Sequence, residues 1–530
     1  MEQEIKKDDF YHLEKKNISN NIKLNRTQRQ LLLAAAAVSS GSGLAVELLL
    51  GTLASYLVGN QALAYGIAVG GFLAAMGIGS YLSRFIAPKA EGIILQRNLL
   101  LAFTWVELLI APLTAFLPLG LFALFVLGGS IWLGLFLVTI LLGILAGLEV
   151  PLLTRILEEA EGVREALAGV LALDYLGGLL GSLTFPVLLL PFFGMFPTAF
   201  ILGALPALMV FAIGRNFTQL RRWGYVGLAL GVLLLSLAPF AIPLSNNLEN
   251  NLYSAPIIKR VQTAYQRIVL THKGKDLRLF LNGDLQLSSV DEYRYHEALV
   301  HPAMSATPNK KRVLVMGAGD GMAVREVLKW QDVERVVLIE LDPEMIKLAN
   351  THPRLTKINK SALLDPRVEI IYADAFLKAP NLNETFDVII ADFPDPDEKI
   401  LAKLYSEGFY RRLSEILAEN GILVTQASSP FFAPKVLSCI ATTISQVGLE
   451  VHPYTVDVPS FGPWGFVLAS NNIFEPEKLQ LPIPTRFLTE PILHHLFELP
   501  KDIQLLKVEI NRLSHPVIVG YQSDNRWLSY

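Results

Sequence analysis

The first 245 residues constrain the fold most, because long apolar stretches follow one another with few charges inside them. Each stretch is near or above the roughly 20 residues that a helix needs to cross a bilayer. Glycines and other small residues are dense there, and small faces let helices approach closely in lipid. The sequence predicts seven spans, at residues 31–58, 62–86, 98–118, 120–150, 165–190, 192–214 and 222–244.

Loop charges predict the orientation of these spans. Basic residues occupy the polar tail and the loops that follow the second, fourth and sixth spans, whereas the loops near 59–61, 117–120 and 190–197 carry no charge. The positive-inside rule therefore places the N-terminus in the cytoplasm, and seven spans would place the second half of the chain outside. The first apolar run is too long for a signal-peptide core, so we expect a retained span.

The second half is organised around residues 312–342, RVLVMGAGDGMAVREVLKWQDVERVVLIELD. Their pattern predicts a buried strand at Arg312–Met316, a helix at Met322–Trp330 and a second strand at Arg335–Glu340. The glycines of the intervening turn, Gly317–Gly321, allow a sharp bend and a close approach to a ligand.

Two carboxylates in this stretch favour a positively charged nucleoside ligand. Glu340 follows the turn by about twenty residues, where an acid can accept both ribose hydroxyls. Asp320 lies inside the turn, where it would repel a diphosphate but hold a sulfonium that carries an amino group. The alternative is an ordinary strand–helix turn with a solvated Asp320.

Strands and helices continue to alternate after Asp342, which predicts a doubly wound parallel sheet. Further strands are expected at 368–373, 386–391, 422–425, 451–458 and 465–470, with helices at 406–419 and 434–447. Ligands bind beyond the carboxyl ends of such strands. Four acids fall at these ends and are expected around one pocket for cations: Asp320, Glu340, Asp374 and Asp392. A metal site is disfavoured, because hard-cation sites usually group their acids more closely in sequence.

The fold class expected is a multi-span α-helical membrane domain followed by an α/β, methyltransferase-like (Rossmann-like) sheet with a small N-terminal β-domain. Short strands and an Asn282-Gly283 turn indicate that β-domain. The predicted boundaries are a polar tail at 1–30, a transmembrane domain at 31–245, a β-domain with connecting helix at 252–305, the Rossmann-like domain at 306–475 and a C-terminal extension at 476–530. We find no catalytic signal in that extension.

Composition excludes several classes of function. The formal net charge of -3 and the lack of a dense Lys/Arg face argue against nucleic-acid binding. The single cysteine, Cys439, excludes an intrachain disulfide and a cysteine zinc cluster.

Seven motifs make residues 265–470 resemble the spermidine synthases, the polyamine aminopropyltransferases: FLNGDLQLSSVDEYRYHEALVHP, VLVMGAGDGMAVREVLKW, VVLIELDP, YADAF, FDVIIADFPDP, LYSEGFY and GPWGFVLAS. The multi-span half resembles the membrane-anchored bacterial members of that family. The resemblance implies decarboxylated S-adenosylmethionine as co-substrate, putrescine or a related polyamine as acceptor, no permanently bound cofactor or metal, and a homo-oligomer.

Residue roles follow from the resemblance alone. Asp392 takes the position of the catalytic general base. The implied donor contacts are Gln266, Gln286, Gly317, Gly319, Asp320, Glu340 and Asp374. The implied acceptor contacts are Tyr295, His296, Glu297, Asp395 and Trp464, although His296 and Glu297 alone also fit an ordinary solvated helix start.

The chain departs from the family pattern near the acceptor. The usual Asp-Ser-Ser-Asp-Pro is here Asp392-Phe393-Pro394-Asp395-Pro396, and Asp397-Glu398-Lys399 replaces the Gly-Pro-Ala that usually follows. The identity of the acceptor amine is therefore left open.

Two other functions are weighed: a methyltransferase that uses intact S-adenosylmethionine, which the acids disfavour, and a polyamine transporter or sensor without turnover.

Acidic residues in the predicted spans bear on the transport alternative. Glu47, Glu107, Glu149 and Asp174 lie in or at the ends of spans, where acids are costly and usually functional. They indicate either a cation path for a polyamine or, for Glu149 and Glu107, a position near an interface or a local pair. Localisation is expected in the cell (inner) membrane, with the catalytic domain in the cytoplasm, where its substrate is made, although the loop charges suggest the opposite side.

Overall fold

The structure is a computed structural model that describes residues 24–58, 61–90, 92–472 and 475–523. The chain divides into two compact units, Met1–Ser254 and Ala255–Tyr530. The division lies within a few residues of the change from apolar to charged sequence. Most of the predicted polar tail falls outside the described residues.

The first unit is helical. Seven helices of the described residues are long and apolar enough to cross a membrane by length and composition, the number predicted from the sequence. The helices are α1 (Arg26–Val58), α2 (Gln61–Leu82), α3 (Gly92–Val126), α4 (Ile131–Glu161), α5 (Val163–Thr184), α6 (Leu190–Phe193), α7 (Met195–Asn216) and α8 (Arg221–Glu249). A π-helical stretch, Phe185–Leu189, joins α5 to α6 within one candidate span.

Two predicted breaks are wrong. The loop expected at Leu117–Gly120 lies inside α3, which contains Pro118; a proline is tolerated where neighbouring helices compensate the lost hydrogen bond. The chain turns later, at Gly128 with a φ of 72°, and Ser130 caps α4. The polar linker expected at Asn246–Asn251 is helical, because α8 runs to Glu249 and a short 3-10 turn follows.

Small residues set the helix spacing, as predicted. A Cβ on Gly147 would collide with the Met76 carbonyl of α2, and one on Gly177 would collide with the Ala37 carbonyl of α1. Close backbone approach of this kind is what small faces permit in lipid. Larger side chains at Gly147 or Gly177 would push these helix pairs apart.

Two of the acids expected in the spans lie inside the helical unit. Glu107 of α3 is 0% exposed and accepts a hydrogen bond from Ser39 Oγ at 2.6 Å. Glu149 of α4 is buried and lines a small cavity with Ser39, Ser42 and Thr114. Within the described residues, neither Glu107 nor Glu149 forms an ion pair with a Lys or Arg. The two acids are therefore not neutralised by a local basic partner.

The second unit begins with a four-stranded antiparallel sheet in the order β1-β2-β3-β4. Its strands are β1 (Ile257–Gln262), β2 (Arg267–Lys273), β3 (Asp276–Leu281) and β4 (Asp284–Ser288). Asn282 and Gly283 have positive φ angles of 53° and 103° and join β3 to β4, which confirms the predicted turn. Helix α9 (Glu292–Ala306) follows.

A seven-stranded sheet forms the rest of the unit, in the order β10-β11-β9-β8-β5-β6-β7. The strands are β5 (Arg312–Gly317), β6 (Arg335–Glu340), β7 (Val368–Tyr372), β8 (Phe386–Asp392), β9 (Leu417–Gln426), β10 (Glu450–Val458) and β11 (Gly462–Ser470). Strands β5 to β9 run parallel, and β11 and β10 add an antiparallel pair at one end. The predicted doubly wound sheet is confirmed.

Both faces of the sheet are covered, as the apolar strand β5 predicts. Val313 and Val315 belong to one core and Leu314 and Met316 to the other, because successive side chains point to opposite faces. The covering helices are α10 (Met322–Val327), α11 (Pro343–Thr351), α12 (Pro353–Asn359), α13 (Ala375–Lys378), α14 (Lys399–Ala402), α15 (Glu407–Glu415) and α16 (Pro434–Ser445).

Two helix ends were predicted wrongly, and the first is that of Met322–Trp330, which ends at Val327 and is followed by a turn. The helix expected over 406–419 ends at Glu415, and Asn420-Gly421 lies within β9 instead of closing the helix. The register jumps there, since Phe386 pairs with Leu417 whereas Val388 pairs with Ile422. The Asn420-Gly421 dipeptide is therefore part of a β-bulge and does not end a helix.

The C-terminal extension packs on this unit through α17 (Glu490–His495) and α18 (Val517–Gln522). Leu488 and Leu493 join the core on one face of the sheet, while Ile503 and Ile518 join the core on the other. The extension is thus part of the same folded unit.

Candidate active site

The turn after β5 brings three strand ends together. Gly317, Ala318 and Gly321 all have positive φ angles, between 57° and 83°. A Cβ at Gly317 would collide with the Asp392 carbonyl of β8, so only glycine allows this approach of β5 to β8. Asp320 follows in the turn, is 8% exposed, and accepts a hydrogen bond from the Met322 amide at 2.9 Å.

Glu340 lies against the same turn. A Cβ on Gly319 would come within 2.6 Å of Glu340 Oε2, so the glycine makes room for the carboxylate. Glu340 Oε1 accepts from the Asp342 amide at 2.9 Å. Burial first, and the nearby charges of Asp342 and Asp320, raise the pKa of Glu340 to about 7.

Asp392 and Tyr295 form a short polar contact in the site. Tyr295 of α9 donates its hydroxyl hydrogen to Asp392 Oδ1 at 2.6 Å. Burial raises the pKa of Asp392 to about 6, while the His296 charge and the Tyr295 hydrogen bond oppose that rise. Burial and the adjacent Asp392 raise the pKa of Tyr295 well above its usual value, so the phenol remains a neutral donor. Asp392 is therefore a carboxylate that titrates close to neutral pH.

His296 supplies a positive charge next to these acids. Its Nδ1 lies 3.0 Å from Glu292 Oε2, and Arg325 holds the same carboxylate with two hydrogen bonds, of 3.0 and 2.8 Å. Burial lowers the pKa of His296, but the Glu292 hydrogen bond and the charges of Asp320 and Asp392 raise it to about 9. His296 is therefore protonated at neutral pH. Glu292 and Arg325 were not among the predicted site residues.

Asp395 is held by residues that the sequence analysis also missed. Its Oδ2 accepts from Ser428 Oγ at 3.0 Å and from Gln522 Nε2 at 2.9 Å, and its Oδ1 lies 3.3 Å from Gln426 Nε2. Burial first raises the pKa of Asp395 to about 6, and these hydrogen bonds limit the rise. Gln426 ends β9 and directly follows the predicted strand at 422–425, so the strand-end rule could have found it had the rule included amides as well as acids.

Asp374 is differently placed from the other three acids. It caps α13, where its Oδ1 accepts from the Phe376 amide at 2.9 Å, and its Oδ2 pairs with Lys403 at 2.6 Å. Asp320, Glu340 and Asp392 are drawn together by adjacent strands β5, β6 and β8, whereas Asp374 follows the edge strand β7. The structure thus brings three of the four predicted acids together and gives the fourth a lysine partner.

The two predicted glutamines belong to the small β-domain, Gln266 in the turn before β2 and Gln286 on β4. Gln266 donates from Nε2 to Asp342 Oδ2 at 2.9 Å, which places it beside the end of β6. Gln286 lies partly buried on β4. Gln266 is thus near the Glu340 end of the site.

Glu297 does not join the other predicted acceptor residues. It is 0% exposed, and its two carboxylate oxygens accept hydrogen bonds from the backbone amides of Arg486, Phe487 and Leu488 at 2.7 to 2.9 Å. Its carboxylate therefore anchors the C-terminal extension. The implied role as an acceptor contact conflicts with this geometry, because tertiary contacts occupy both of its oxygens.

Trp464 lies on β11 next to Tyr295, with ring centroids 6.2 Å apart. Its indole Nε1 is buried and has no hydrogen-bond partner among the described residues. Buried indole N–H groups usually find an acceptor. This donor is thus available to a ligand near Tyr295.

The arrangement has a clear electrostatic character. Asp320, Glu340 and Asp392 form a negative region beside the protonated His296 and the neutral phenol of Tyr295. Such a site favours cationic ligands over phosphates, and Asp392 can accept a proton near neutral pH. Within the described ranges, no group of three or more His, Cys, Asp or Glu side chains is arranged to hold a metal ion; the absence of a metal stays a prediction.

Comparisons with known proteins agree with this chemistry. Residues 292–478 match the profile of the spermine/spermidine synthase domain. The polyamine aminopropyltransferase of Oceanobacillus iheyensis is 38% identical over 517 residues, which are 95% of this chain and 98% of that protein. The polyamine aminopropyltransferase of Leptospira interrogans is 40% identical over 501 residues, which are 94% of this chain and 98% of that protein.

A solved structure is also similar. A spermidine synthase crystallised with the transition-state analogue AdoDATO is 28% identical, covers 47% of this chain and 89% of its own, and superposes with a TM-score of 0.45. The sequence relatives, in contrast, extend over both units of the chain. With relatives of about 40% identity along nearly its whole length, the chain belongs to the polyamine aminopropyltransferases, enzymes that transfer an aminopropyl group to an amine.

Proposed function

We propose that this enzyme transfers the aminopropyl group of decarboxylated S-adenosylmethionine to putrescine and releases spermidine and methylthioadenosine. The observation that carries the proposal is the Tyr295–Asp392 pair, a short 2.6 Å contact at the end of β8 inside a negative site. A carboxylate that titrates near neutral pH is suited to accept a proton from an ammonium nucleophile.

The donor is assigned to the glycine turn and the ends of β5 and β6. Asp320 and the turn at Gly317 and Gly319 would hold the sulfonium and its aminopropyl chain, and Glu340 would accept hydrogen bonds from the ribose. Gln266 and Gln286 would contact the aminopropyl end from the small β-domain. Asp374 would take the adenine amino group, for which it must exchange its ion pair with Lys403.

The acceptor is assigned to the region between Tyr295 and Asp395. Tyr295, His296 and Trp464 would line the acceptor beside Asp392, while Asp395 would bind the ammonium at its other end. Three observations support this: the Tyr295–Asp392 hydrogen bond, the 6.2 Å spacing of the Tyr295 and Trp464 rings, and the partial exposure of Asp395. Glu297 is left out, because its oxygens are occupied.

The reaction is a displacement at carbon. The amine nitrogen attacks the aminopropyl carbon bonded to sulfur, a C–N bond forms, and the C–S bond breaks with its electron pair going to sulfur. Only an unprotonated amine has the lone pair that this step needs, so Asp392 accepts the proton and orients the nitrogen. Holding both cations in one negative site contributes the alignment that a bimolecular reaction lacks in water.

One assay tests this function. The purified full-length chain is incubated with decarboxylated S-adenosylmethionine and putrescine, and methylthioadenosine is measured by mass spectrometry. Product formed only from intact S-adenosylmethionine would instead indicate a methyltransferase. Tight putrescine binding without turnover would indicate a sensor or transporter.

We propose in addition that the helical unit anchors the enzyme in the cell membrane. The support is the length and composition of the seven helices and the close glycine packing between them. Extraction of membranes at alkaline pH should leave the protein in the pellet, and its release would contradict the proposal. A homo-oligomer also remains a proposal.

We place the catalytic unit in the cytoplasm, where a soluble donor is available, although seven helices and the loop charges favour the opposite side. Cys439 is the only cysteine and is buried, so an added cysteine can report the side. Lys275 lies exposed between β2 and β3. Lys275→Cys should resist a membrane-impermeant maleimide in intact cells and react after permeabilisation; labelling of intact cells would place the unit outside.

A further inference from the structure

The C-terminal extension reaches the proposed acceptor site through one side chain. Gln522, in the last turn of α18, donates from Nε2 to Asp395 Oδ2 at 2.9 Å. It lies beyond residue 478, where the match to the family profile ends. Ser428 and Gln426 contact the same carboxylate from the body of the sheet, so Asp395 is shared between the family fold and the extension.

The extension is anchored where it passes the segment that follows Asp395. Asn511 is 0% exposed, and its Nδ2 donates to the carbonyls of Ala402 and Tyr405 at 2.9 and 3.0 Å. Its backbone N–H donates to Thr443 Oγ1 at 3.0 Å, and its carbonyl accepts from the Glu407 amide at 2.9 Å. These contacts fix the path of the chain towards α18.

Packing then fixes α18 itself. Ile518, four residues before Gln522, is 0% exposed and belongs to the core that also contains Tyr405 and Leu437. Residues four apart lie on the same face of a helix. The buried Ile518 therefore turns the Gln522 face of α18 towards the body of the unit.

The remaining atom of the Gln522 amide is unsatisfied. Gln522 Oε1 is buried and has no partner within the described residues. A buried carbonyl without a hydrogen bond is costly, and this one belongs to the same planar amide whose nitrogen touches Asp395. A primary ammonium bound at Asp395 offers three N–H donors, of which the carboxylate and the amide oxygen can each accept one.

We propose that Gln522 is a specificity-determining residue of the acceptor site, which binds the distal ammonium of a diamine together with Asp395. The inference rests on the proposed function, in which Asp395 belongs to the acceptor site. Gln522 closes the far end of that site, so the length of its side chain selects the length of the diamine. The ligand class is a linear α,ω-diamine in its diammonium form.

The experiment compares Gln522→Leu and Gln522→Asn with the wild-type full-length enzyme. A hydrogen bond to a charged group is lost in Gln522→Leu, so the KM for the diamine should rise about tenfold or more, with kcat and the KM for the donor within about twofold. Gln522→Asn shortens the side chain by one methylene. It should raise the ratio of kcat/KM for cadaverine over putrescine.

A matched control comes from the same extension. Gln504 is exposed and donates to the Pro500 carbonyl, with no contact to the acceptor site among the described residues, so Gln504→Ala should leave both KM values unchanged. An unchanged diamine KM and an unchanged diamine preference in both Gln522 variants would overturn the inference. Equal losses towards donor and diamine with a lower melting temperature would also overturn it, because they would show a structural role. Failure of the wild type to use any diamine would instead defeat the proposed function.

Discussion

Glu107 in the helical unit and Asp392 in the α/β unit are buried acids that each accept one 2.6 Å hydrogen bond from a hydroxyl. Their surroundings differ. Asp392 lies near the charge of His296. His296 contacts the carboxylate of Glu292, and Arg325 forms an ion pair with the same carboxylate. Among the described residues, Glu107 forms no ion pair.

The difference teaches what each region can do with a carboxylate. A positive partner lets a buried acid ionise near neutral pH, which a general base requires. An acid in an apolar helix bundle is costly, and acids in such places usually face a partner or a cavity. The α/β unit thus gives its acid a positive neighbour, whereas the described part of the helical unit gives Glu107 only a hydroxyl. Four predictions test this contrast, from the largest expected effect to the smallest.

Asp392→Asn should lower kcat by about 10²- to 10⁴-fold, because the amide cannot accept the proton of the attacking amine. Single-turnover formation of methylthioadenosine measures the effect. Glu107→Gln and the exposed Asp332→Asn are the controls and should keep wild-type rates. A Glu107→Gln enzyme as slow as Asp392→Asn would abolish the distinction between the two regions.

Arg325→Met should destabilise the α/β unit by about 3–5 kcal/mol, because it leaves Glu292 and Glu326 buried with their arginine removed. Chemical denaturation followed by hydrogen exchange of β5 amides reports on this unit. The control is Arg335→Met, whose partners Glu369 and Glu384 lie nearer the surface and for which at most about 1 kcal/mol is expected. Equal losses in both variants would show that the buried network is not special.

The pH dependence of kcat/KM should show whether one acid or two must be ionised for activity. Asp392 and Asp395 both have pKa values raised to about 6, and a protonated acid can neither accept a proton nor bind an ammonium. Activity, as kcat/KM for the diamine, should therefore fall as pH drops below about 6, more steeply than tenfold per unit. In Asp395→Asn the fall should be tenfold per pH unit, as expected when a single acid titrates. A flat profile down to pH 5 would contradict the assignment of Asp392.

The smallest effect is expected in the helical unit. If its acids form a path for polyamines, Glu47→Gln, Asp174→Asn and Glu107→Gln should each reduce the retention of labelled spermidine by vesicles severalfold. Transferase activity measured in detergent should remain unchanged in all three. Wild-type retention in every variant would remove the cation-path interpretation and leave these acids a structural role.

Local sequence patterns were enough for the strand ends. Apolar runs that end in an acid located Glu340 and Asp392, and the glycine turn after an apolar run located Asp320, because a strand's end depends on the residues next to it and parallel strands end on one edge. The Asn282-Gly283 turn was likewise predictable, since its positive φ angles suit that dipeptide. The continuation of α3 through Leu117–Gly120 could not be predicted in this way, because neighbouring helices decide whether a proline interrupts a helix.

The sequence by itself determined which edge of the sheet carries the chemistry and which charge a ligand must bear. Only the tertiary structure decided the use of individual polar groups. Glu297 binds amides about 190 residues away, Asp374 pairs with Lys403, and Gln522 reaches Asp395 from the extension. The physical reason is that periodicity fixes a residue's place within its own element, whereas a hydrogen-bond partner depends on how distant segments pack.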